Sequence, residues 1–182
     1  MTAGAIVEGR GAIQQLRSQP TDQADLAKLL TIAGQELARS HEKTSGPVIW
    51  RVLVEGARRD LQPLLQDEIF RITRELLRNA FQHAQAKQIE AEIRYERRML
   101  RVQVRDDGKG IDPEILQEGG RAGHWGFAGM RERAQQIGAR LDFWSERGVG
   151  TEVQLTVVAS IAYRTPNKRW RLPLPVKNRG VS

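Results

Sequence analysis

The sequence has no cysteine among its 182 residues, which excludes a disulfide scaffold, a thiolate metal site and a cysteine nucleophile together. It also lacks any run of about 18 apolar residues, the length that a membrane-spanning helix needs. The first residues do not form the apolar stretch of a signal peptide. The last two absences predict a soluble, intracellular domain, whereas the lack of cysteine does not indicate a compartment.

Acidic residues are missing from the end of the chain, which accounts for most of the formal charge of +7. Residues 161–182 carry six basic side chains and no acidic one, so residues 1–160 have a net charge of only +1. A nearly neutral body does not predict a nucleic-acid-binding surface. Prolines, an isolated Trp170 and little periodic apolar pattern predict that this tail is disordered, with docking onto a partner or an acidic surface as the alternative.

Apolar periodicity predicts helices and then a strand in the first part of the chain. Residues 5–18 have a short helical pattern, and Asp22 is the predicted N-cap of a helix that ends near Arg39. After the Ser-Gly-Pro break at 45–47, alternating apolar residues predict a strand over Val48–Val54.

A helix of roughly twenty residues is predicted after Pro63, and two antiparallel hairpins follow it. The hairpins alternate apolar and polar residues over 88–105 and 141–157, and a short helix is predicted from about Met130 to Ile137. This pattern predicts an α+β fold, a two-layer α/β sandwich with a mixed, mostly antiparallel sheet and helices on one face. The long helix has a predicted buried stripe of Ile69, Ile72, Leu76, Ala80 and Ala84.

Two common phosphate-binding devices are also lacking: the Gly-x-x-x-x-Gly-Lys-Ser/Thr loop and a Gly-x-Gly-x-x-Gly strand-to-helix turn. Four other motifs follow one another in a fixed order, and together they predict one binding site for Mg-ATP. They are Glu75-x-x-x-Asn79, Asp106-Asp107-Gly108-Lys109-Gly110, Gly123-x-x-Gly126-x-x-Gly129 and Gly148-x-Gly150-Thr151.

The first motif places Glu75 and Asn79 on one face of the long helix, because residues four apart are neighbours there. The Asn79 amide oxygen suits Mg²⁺, which prefers oxygen ligands and keeps several waters. Glu75 could orient or deprotonate one of those waters. The competing interpretation is a Glu75 that only forms weak ion pairs with the neighbouring arginines.

The other motifs offer groups for the base and the phosphates. Asp106 follows a predicted strand, where its carboxylate could accept a hydrogen bond from the adenine amine, and Gly108 and Gly110 permit close backbone approach. The N–H groups at the start of the helix after the third motif suit phosphate oxygens, and its glycines would let that segment close as a lid. Thr151 could donate its hydroxyl near the phosphates. Ordinary turns and a flexible surface loop are the alternatives.

With the residues between them, the four motifs resemble the N, G1, G2 and G3 boxes of the catalytic ATP-binding domain of bacterial sensor histidine kinases. That superfamily is shared with gyrase, MutL-type repair proteins and a class of heat-shock chaperones. The resemblance spans about Val48–Val158, and residues 129–134 are similar to the nitrate/nitrite-sensor-like subgroup. It implies a Bergerat-type ATP-binding fold over residues 21–160, with residues 1–20 as a remnant of the dimerisation region and 161–182 as the tail.

The resemblance also implies a role for each matching residue, with ATP and Mg²⁺ as the ligands. Asn79 would bind Mg²⁺, Glu75 would lie beside the γ-phosphate as the catalytic residue, and Asp106 would bind adenine. His83 would be a pocket wall or a phosphate contact, while Gln82 stands where many relatives have a basic residue. The implied nucleotide-contacting set also includes Gly108, Gly110, Gly123, Gly126, Gly129, Gly150 and Thr151.

A complete kinase of this kind carries a dimerisation helix pair that presents a phosphoacceptor histidine. The resemblance therefore implies a full-length homodimer, its own acceptor helices as one partner and a response regulator as another. His41 is followed by an acidic residue, but it comes just before the break at 45–47 rather than midway along a long helix. We therefore expect ATP binding and γ-phosphoryl donation to a histidine supplied from elsewhere.

Three alternatives are weighed against this reading of the motifs. A serine kinase of the anti-sigma-factor type shares the fold and needs no acceptor histidine, although such a chain is expected to begin near the domain. A nucleotide-gated module of the gyrase type, acting without phosphoryl transfer, is expected to carry a transducer domain for which 182 residues leave no room. A nucleic-acid-binding module is disfavoured by the nearly neutral body.

Overall fold

A computed structural model describes residues 25–111 and 126–164 of the chain. The predicted helix at 5–18 and residues 165–182 of the predicted tail lie outside the described residues. The elements follow in the order α1 (Leu26–Ser45), β1 (Ile49–Glu55), α2 (Pro63–His83), β2 (Gln88–Tyr95), β3 (Met99–Asp106), α3 (Phe127–Gln136), β4 (Ala139–Glu146), β5 (Gly150–Val158) and α4 (Ala159–Ala162).

The five strands form one mixed sheet in the order β1-β2-β3-β5-β4. Strand β1 runs parallel to β2, and the other neighbouring pairs are antiparallel. Along β2, Ala91 and Ile93 are fully buried against the helices, whereas Glu92 and Arg94 lie on the other face. The alternation confirms the predicted α+β sandwich, in which one face of the sheet is covered by helices and the other is polar.

The long helix α2 is the centre of the helical layer. Its predicted apolar stripe is confirmed, because Ile69, Ile72, Leu76 and Ala80 are all buried and Ala84 is the buried C-cap residue. No helix within residues 25–111 and 126–164 combines the length and the apolar character that crossing a membrane requires.

The predicted bounds of α1 were wrong at both ends. The N-cap is Asp25, whose carboxylate accepts a hydrogen bond from the Ala27 N–H at 3.4 Å, while the predicted cap Asp22 lies outside the described residues. The helix also continues past Arg39 to Ser45, because Gly46, with a φ of 96°, is the first residue whose backbone leaves the helical region.

The folded body extends beyond the predicted boundary at residue 160. Ala162 and Tyr163 are buried, and the Tyr163 hydroxyl donates to the carbonyls of Glu96 and Met99 at 3.1 and 2.9 Å. Tyr163 also forms a β-bridge with Leu61. Ala162 and Tyr163 therefore belong to the core, although they lie beyond the predicted boundary.

Two glycines inside helices test the packing of this layer. An added Cβ at Gly34 in α1 would overlap the Trp50 indole, whereas one at Gly129 in α3 would meet no atom within 4 Å. We expect Gly34→Ala to destabilise the fold by about 1–3 kcal/mol, because Trp50 must move. Gly129→Ala should stabilise it by about 0.5 kcal/mol through helix propensity. Denaturant unfolding of both variants measures the difference, and equal effects would show that Trp50 does not pack against α1.

Candidate functional site

A cleft opens between α2 and the sheet. It brings together Asn79, Asp106, Gly110 and Thr151 from three of the four motifs. The remaining lining is apolar, and as a set it was not predicted from the sequence. It comprises Leu76, Ala80, Ala84, Val104, Ile111, Phe127 and Val153. Helical and strand spacing from Asn79 and Asp106 would have found Leu76 and Val104, since these residues share a face with them.

Asp106 ends β3 with its side chain buried in this cleft at 7% exposure. Its carboxylate accepts a hydrogen bond from the Gly108 N–H at 2.9 Å and another from the Thr151 N–H. Burial raises the pKa of Asp106, and these two N–H groups only partly oppose that shift. The carboxylate is therefore an acceptor held in an apolar setting, which suits a neutral ligand with hydrogen-bond donors.

The loop after β3 is clamped between two other backbone segments. The Lys109 N–H donates to the Ala84 carbonyl at 2.8 Å, and the Gly148 N–H donates to the Lys109 carbonyl at 2.9 Å. A Cβ at Gly108 would overlap the Ala84 carbonyl, and the neighbouring glycine at 110, with a φ of 73°, approaches β4 equally closely. Close backbone contact therefore requires both glycines of the second motif.

The fourth motif lies at the Asp106 end of the cleft. Thr151 is the register partner of Asp106, and a Cβ at Gly150 would overlap the Asp106 carbonyl oxygen. Ser145, which sequence reasoning missed, donates its hydroxyl to the Gly150 carbonyl and lies 3.0 Å from the Thr151 hydroxyl. It also accepts the Ile111 N–H at 2.7 Å, so it ties the hairpin to the loop after β3. Its position opposite Thr151 across the glycine turn was the available signal.

Asn79 and Glu75 lie on α2, where their settings differ. Asn79 is buried at 7% exposure and lines the cleft. Glu75 is partly buried and forms an ion pair with Arg78, as the competing interpretation expected. Glu75 also lies beside the start of α3, since a Cβ added to Gly126 would be 3.4 Å from its Oε1 atom. The first motif therefore adjoins both the cleft and the third motif.

The residues of the predicted lid are only partly described. Gly126, with a φ of 66°, is the N-cap of α3, and its carbonyl accepts the Met130 N–H at 3.0 Å. This cap explains why α3 begins three residues before the predicted start at Met130. Gly129 is exposed in the first turn of α3, and Gly123 lies outside the described residues, as does His124.

His83 is partly buried in the last turn of α2 and is not among the residues that line the cleft. Its assigned part as a pocket wall or phosphate contact therefore stays a prediction from the resemblance.

The residues present fit an adenine nucleotide with Mg²⁺. A buried carboxylate, close backbone loops and an apolar lining suit a flat base with an exocyclic amine. Within residues 25–111 and 126–164, no group of three acidic or histidine side chains could hold a metal ion alone. A metal ion at Asn79 would therefore take its other ligands from phosphates and water, as Mg²⁺ does.

The profile of one protein family matches residues 65–161, more than half of the chain. That family is described as "Histidine kinase-, DNA gyrase B-, and HSP90-like ATPase". The match begins near the start of α2, includes the cleft and the glycine motifs, and ends within α4.

Curated relatives with significant similarity are sensor kinases. The chain is 32% identical over 93 residues to the sensor histidine kinase LiaS of Bacillus subtilis, covering 51% of this chain and 25% of LiaS. It is 25% identical over 158 residues to the histidine-protein kinase/phosphatase DegS of Brevibacillus brevis, covering 86% of this chain and 38% of DegS. The chain thus spans only a quarter to two fifths of the length of these two relatives.

The fold also matches a solved structure, the histidine kinase domain of the blue-light activated kinase of Erythrobacter litoralis EL346. The TM-score is 0.64 with 23% identity, over 85% of this chain and 73% of that domain. The likeness supports the fold of the whole described body.

The raised pKa of Asp106 predicts a pH-dependent stability that Asp106→Asn removes. A carboxyl whose pKa is raised by folding contributes stability below the unfolded pKa of 3.8, and this contribution is lost as the pH rises through the folded pKa. We therefore expect the unfolding free energy of Asp106→Asn, measured relative to that of the wild type, to increase as the pH rises from 3.8. This difference should become constant above the folded pKa. Denaturant unfolding without nucleotide at several pH values measures this increase. A difference that does not change with pH would contradict the burial of a titrating carboxyl.

Proposed function

The chain belongs to the family of histidine kinase-, DNA gyrase B- and HSP90-like ATPases, and we propose that it binds Mg-ATP and donates the γ-phosphoryl group to a histidine of a sensor-kinase dimer. The observation that carries this proposal is Asp106, a buried carboxylate at the end of an apolar cleft beside three closely packed glycines. Onward transfer from the histidine to an aspartate of a response regulator completes two-component signalling.

The Asp106 end of the cleft is proposed to bind adenine. The carboxylate accepts the exocyclic amine, while Gly108 and Gly110 keep the loop after β3 flat against the base. Ile111 and Val153 supply apolar contacts from the cleft wall. A buried acceptor that is satisfied by an amine is left unpaired by guanine, which presents a carbonyl oxygen at that position.

The Asn79 end is proposed to hold the phosphates. Asn79 offers the metal ligand, and Glu75 lies one helical turn away beside the start of α3. Backbone N–H groups at the N-terminus of α3 carry partial positive charge and suit phosphate oxygens. Mg²⁺, when bound, would neutralise charge on the phosphates.

The proposed reaction is a phosphoryl transfer that relies on positioning. An imidazole nitrogen of the acceptor histidine forms a bond to the γ-phosphorus, and the bond to the β–γ bridging oxygen breaks, so ADP leaves with that electron pair. Glu75 would orient the acceptor imidazole or accept its proton. The acceptor comes from the dimerisation helices of the longer kinase. His41 does not line the cleft. Its ring centroid lies 6.1 Å from that of Phe81, where α1 packs against α2.

The likeness to LiaS and DegS supports a cytoplasmic kinase domain within a longer sensor protein, and we place it in the nitrate/nitrite-sensor-like subgroup on residues 129–134. The rival function is a serine kinase of the anti-sigma-factor type, which would use the same nucleotide site. The two differ in the phosphorylated product, since phosphohistidine is labile in acid and phosphoserine is not.

Asp106→Asn tests the adenine assignment. We expect ADP to bind roughly 10–100-fold more weakly, because a hydrogen bond to a charged group contributes about 1.5–3 kcal/mol. GDP should lose much less affinity, because the variant's amide N–H can pair with the guanine carbonyl. Isothermal titration with Mg-ADP and Mg-GDP gives the ratio of the two dissociation constants.

Gln103→Ala is the matched control, since Gln103 lies on the same strand but on the polar face of the sheet. It should leave both dissociation constants unchanged. An equal loss of ADP and GDP affinity in Asp106→Asn would contradict the adenine assignment.

Asn79→Ala tests the metal ligand. It should remove the gain in ADP affinity that Mg²⁺ gives the wild type, while the ADP affinity measured in a metal chelator stays the same.

Phosphoryl transfer is tested with γ-labelled ATP. The chain alone should bind ATP but gain little label, and His41→Ala should not change that amount. Adding the dimerisation and acceptor helices of the longer kinase should produce an acid-labile, alkali-stable product. Acid-stable label on a protein substrate would favour the serine-kinase function. If the acid-labile product did not form and all the label were acid-stable, the histidine-kinase proposal would be wrong.

A further inference from the structure

Strand β1 leaves one edge of the sheet open. It pairs with β2 on one side, and within the described ranges no strand pairs with its other side. The Ile49 N–H donates to the Lys87 carbonyl at 2.9 Å, so Ile49 points its backbone groups toward β2. Because these directions alternate along a strand, Trp50, Val52 and Val54 point their N–H and C=O groups outward. An open edge of this kind is a template for another strand.

The chain leaves the described body at the end of the sheet where β1 ends. The Arg164 N–H donates to the Asp60 carbonyl at 2.8 Å, in the segment that joins β1 to α2. Tyr163 also reaches the Glu96 carbonyl, just beyond the end of β2 that pairs with Glu55. Arg164 therefore lies at the end of the sheet that contains the carboxyl end of β1. A segment that returns along the edge from this point is antiparallel to β1.

The tail as a whole has little periodic pattern, but seven of its residues alternate. Trp170, Leu172, Leu174 and Val176 are apolar, and Pro173 and Pro175 stand between them. In a strand, the apolar residues would point their backbone groups to one edge and both prolines would point to the other. A proline has no N–H to donate, so prolines are tolerated on an outer edge and block further pairing there. The pattern suits a strand with its apolar residues bonded to β1.

The faces of the two segments agree as well. Antiparallel residues that exchange hydrogen bonds place their side chains on the same face. Trp50 and Val52, whose backbone groups point away from β2, have side chains that pack against the core on the helical face of the sheet. Apolar tail residues paired with them would extend that core. The intervening arginine and prolines would lie on the polar face.

Charge and the length of β1 together select a register. With Leu172 opposite Val52, Arg169 stands opposite Glu55, whose side chain is 61% exposed. Shifting the tail by two residues toward Ile49 would place Arg171 opposite Arg51 and bring like charges together. Shifting the tail by two residues away from Ile49 would place Trp170 opposite Gly56, beyond the end of β1 at Glu55. The five residues before Trp170 can span about 17 Å at roughly 3.4 Å per residue. That reach is similar to the greatest span of the segment between Glu55 and Asp60.

We propose that residues 170–176 add to the open edge of β1 as an antiparallel sixth strand, with Leu172 opposite Val52. The occupant of the edge is thus the chain's own basic tail, rather than a partner protein. The tail then protects the sheet from edge-to-edge association. This assignment does not depend on the nucleotide site.

A disulfide test uses the absence of cysteine from the chain. In this register Leu53 and Arg171 face each other at a position without hydrogen bonds, where Cα atoms are about 4.5 Å apart and a disulfide is feasible. Leu53→Cys/Arg171→Cys should form an intramolecular disulfide under mild oxidation, detected by mass spectrometry of the monomer. Leu53→Cys/Leu172→Cys is the control, because its second cysteine would lie on the opposite face. Equal oxidation of the two variants, or a disulfide only between copies, would overturn the proposal.

Amide hydrogen exchange gives an independent measurement. The amides of Val52 and Val54 should be protected in the full chain, with Leu53, bonded to β2, as an internal reference. Leu172→Pro removes a donor directed at β1 and should speed exchange at Val52 at least about tenfold. Arg171→Pro removes only a donor directed outward and should leave Val52 unchanged. No protection at Val52 in the wild type, or equal effects of the two prolines, would contradict the added strand.

Discussion

The site depends on the close backbone contact that surrounds Asp106. The carboxylate can stay buried because the N–H groups of Gly108 and Thr151 donate to it, and those groups reach it only where Gly150 lets β5 approach β3 without a side chain. The loop after β3 is held in turn by the Ala84 carbonyl at the end of α2. Three elements that are far apart in the sequence thus determine the position of the Asp106 carboxylate.

Helix α2 connects this arrangement to the rest of the fold. Its apolar stripe is buried on the sheet, and that packing sets the rotation of the helix about its axis. The rotation directs Asn79 and Leu76 into the cleft, while Glu75 is turned toward the start of α3. The same packing that stabilises the domain therefore also orients the groups at the other end of the cleft from Asp106.

The outer parts of the fold have different roles. The polar face of the sheet is exposed to water and carries ion pairs such as Arg51 with Glu90. Exposed pairs of this kind add little to stability. The edge at β1, in contrast, presents backbone groups that no strand of residues 25–111 and 126–164 pairs with. The cleft thus lies on the helical side of the sheet, away from its polar face.

Much of the fold could be predicted from the sequence, because local periodicity carries the information. Alternation along β2 and β3 identified the two faces of the sheet, and the stripe of α2 identified its buried side. Asn79, Asp106 and Thr151 were predicted as site residues and line one cleft. The bounds of α1 and the end of the body were less well predicted, since they depend on single caps and on Tyr163 reaching back to Glu96.

The order of the four motifs and the chemistry of their side chains were determined by the sequence alone. Only the tertiary structure decided which of them meet. Residue 150 must be glycine because it packs against the Asp106 carbonyl, and Ser145 is held by hydrogen bonds with Ile111 and Thr151. The contacts of Gly150 with Asp106 and of Ser145 with Ile111 join residues more than thirty positions apart. Such contacts depend on strand order and register, which arise from pairing and packing across the whole sheet and leave no local pattern in the chain.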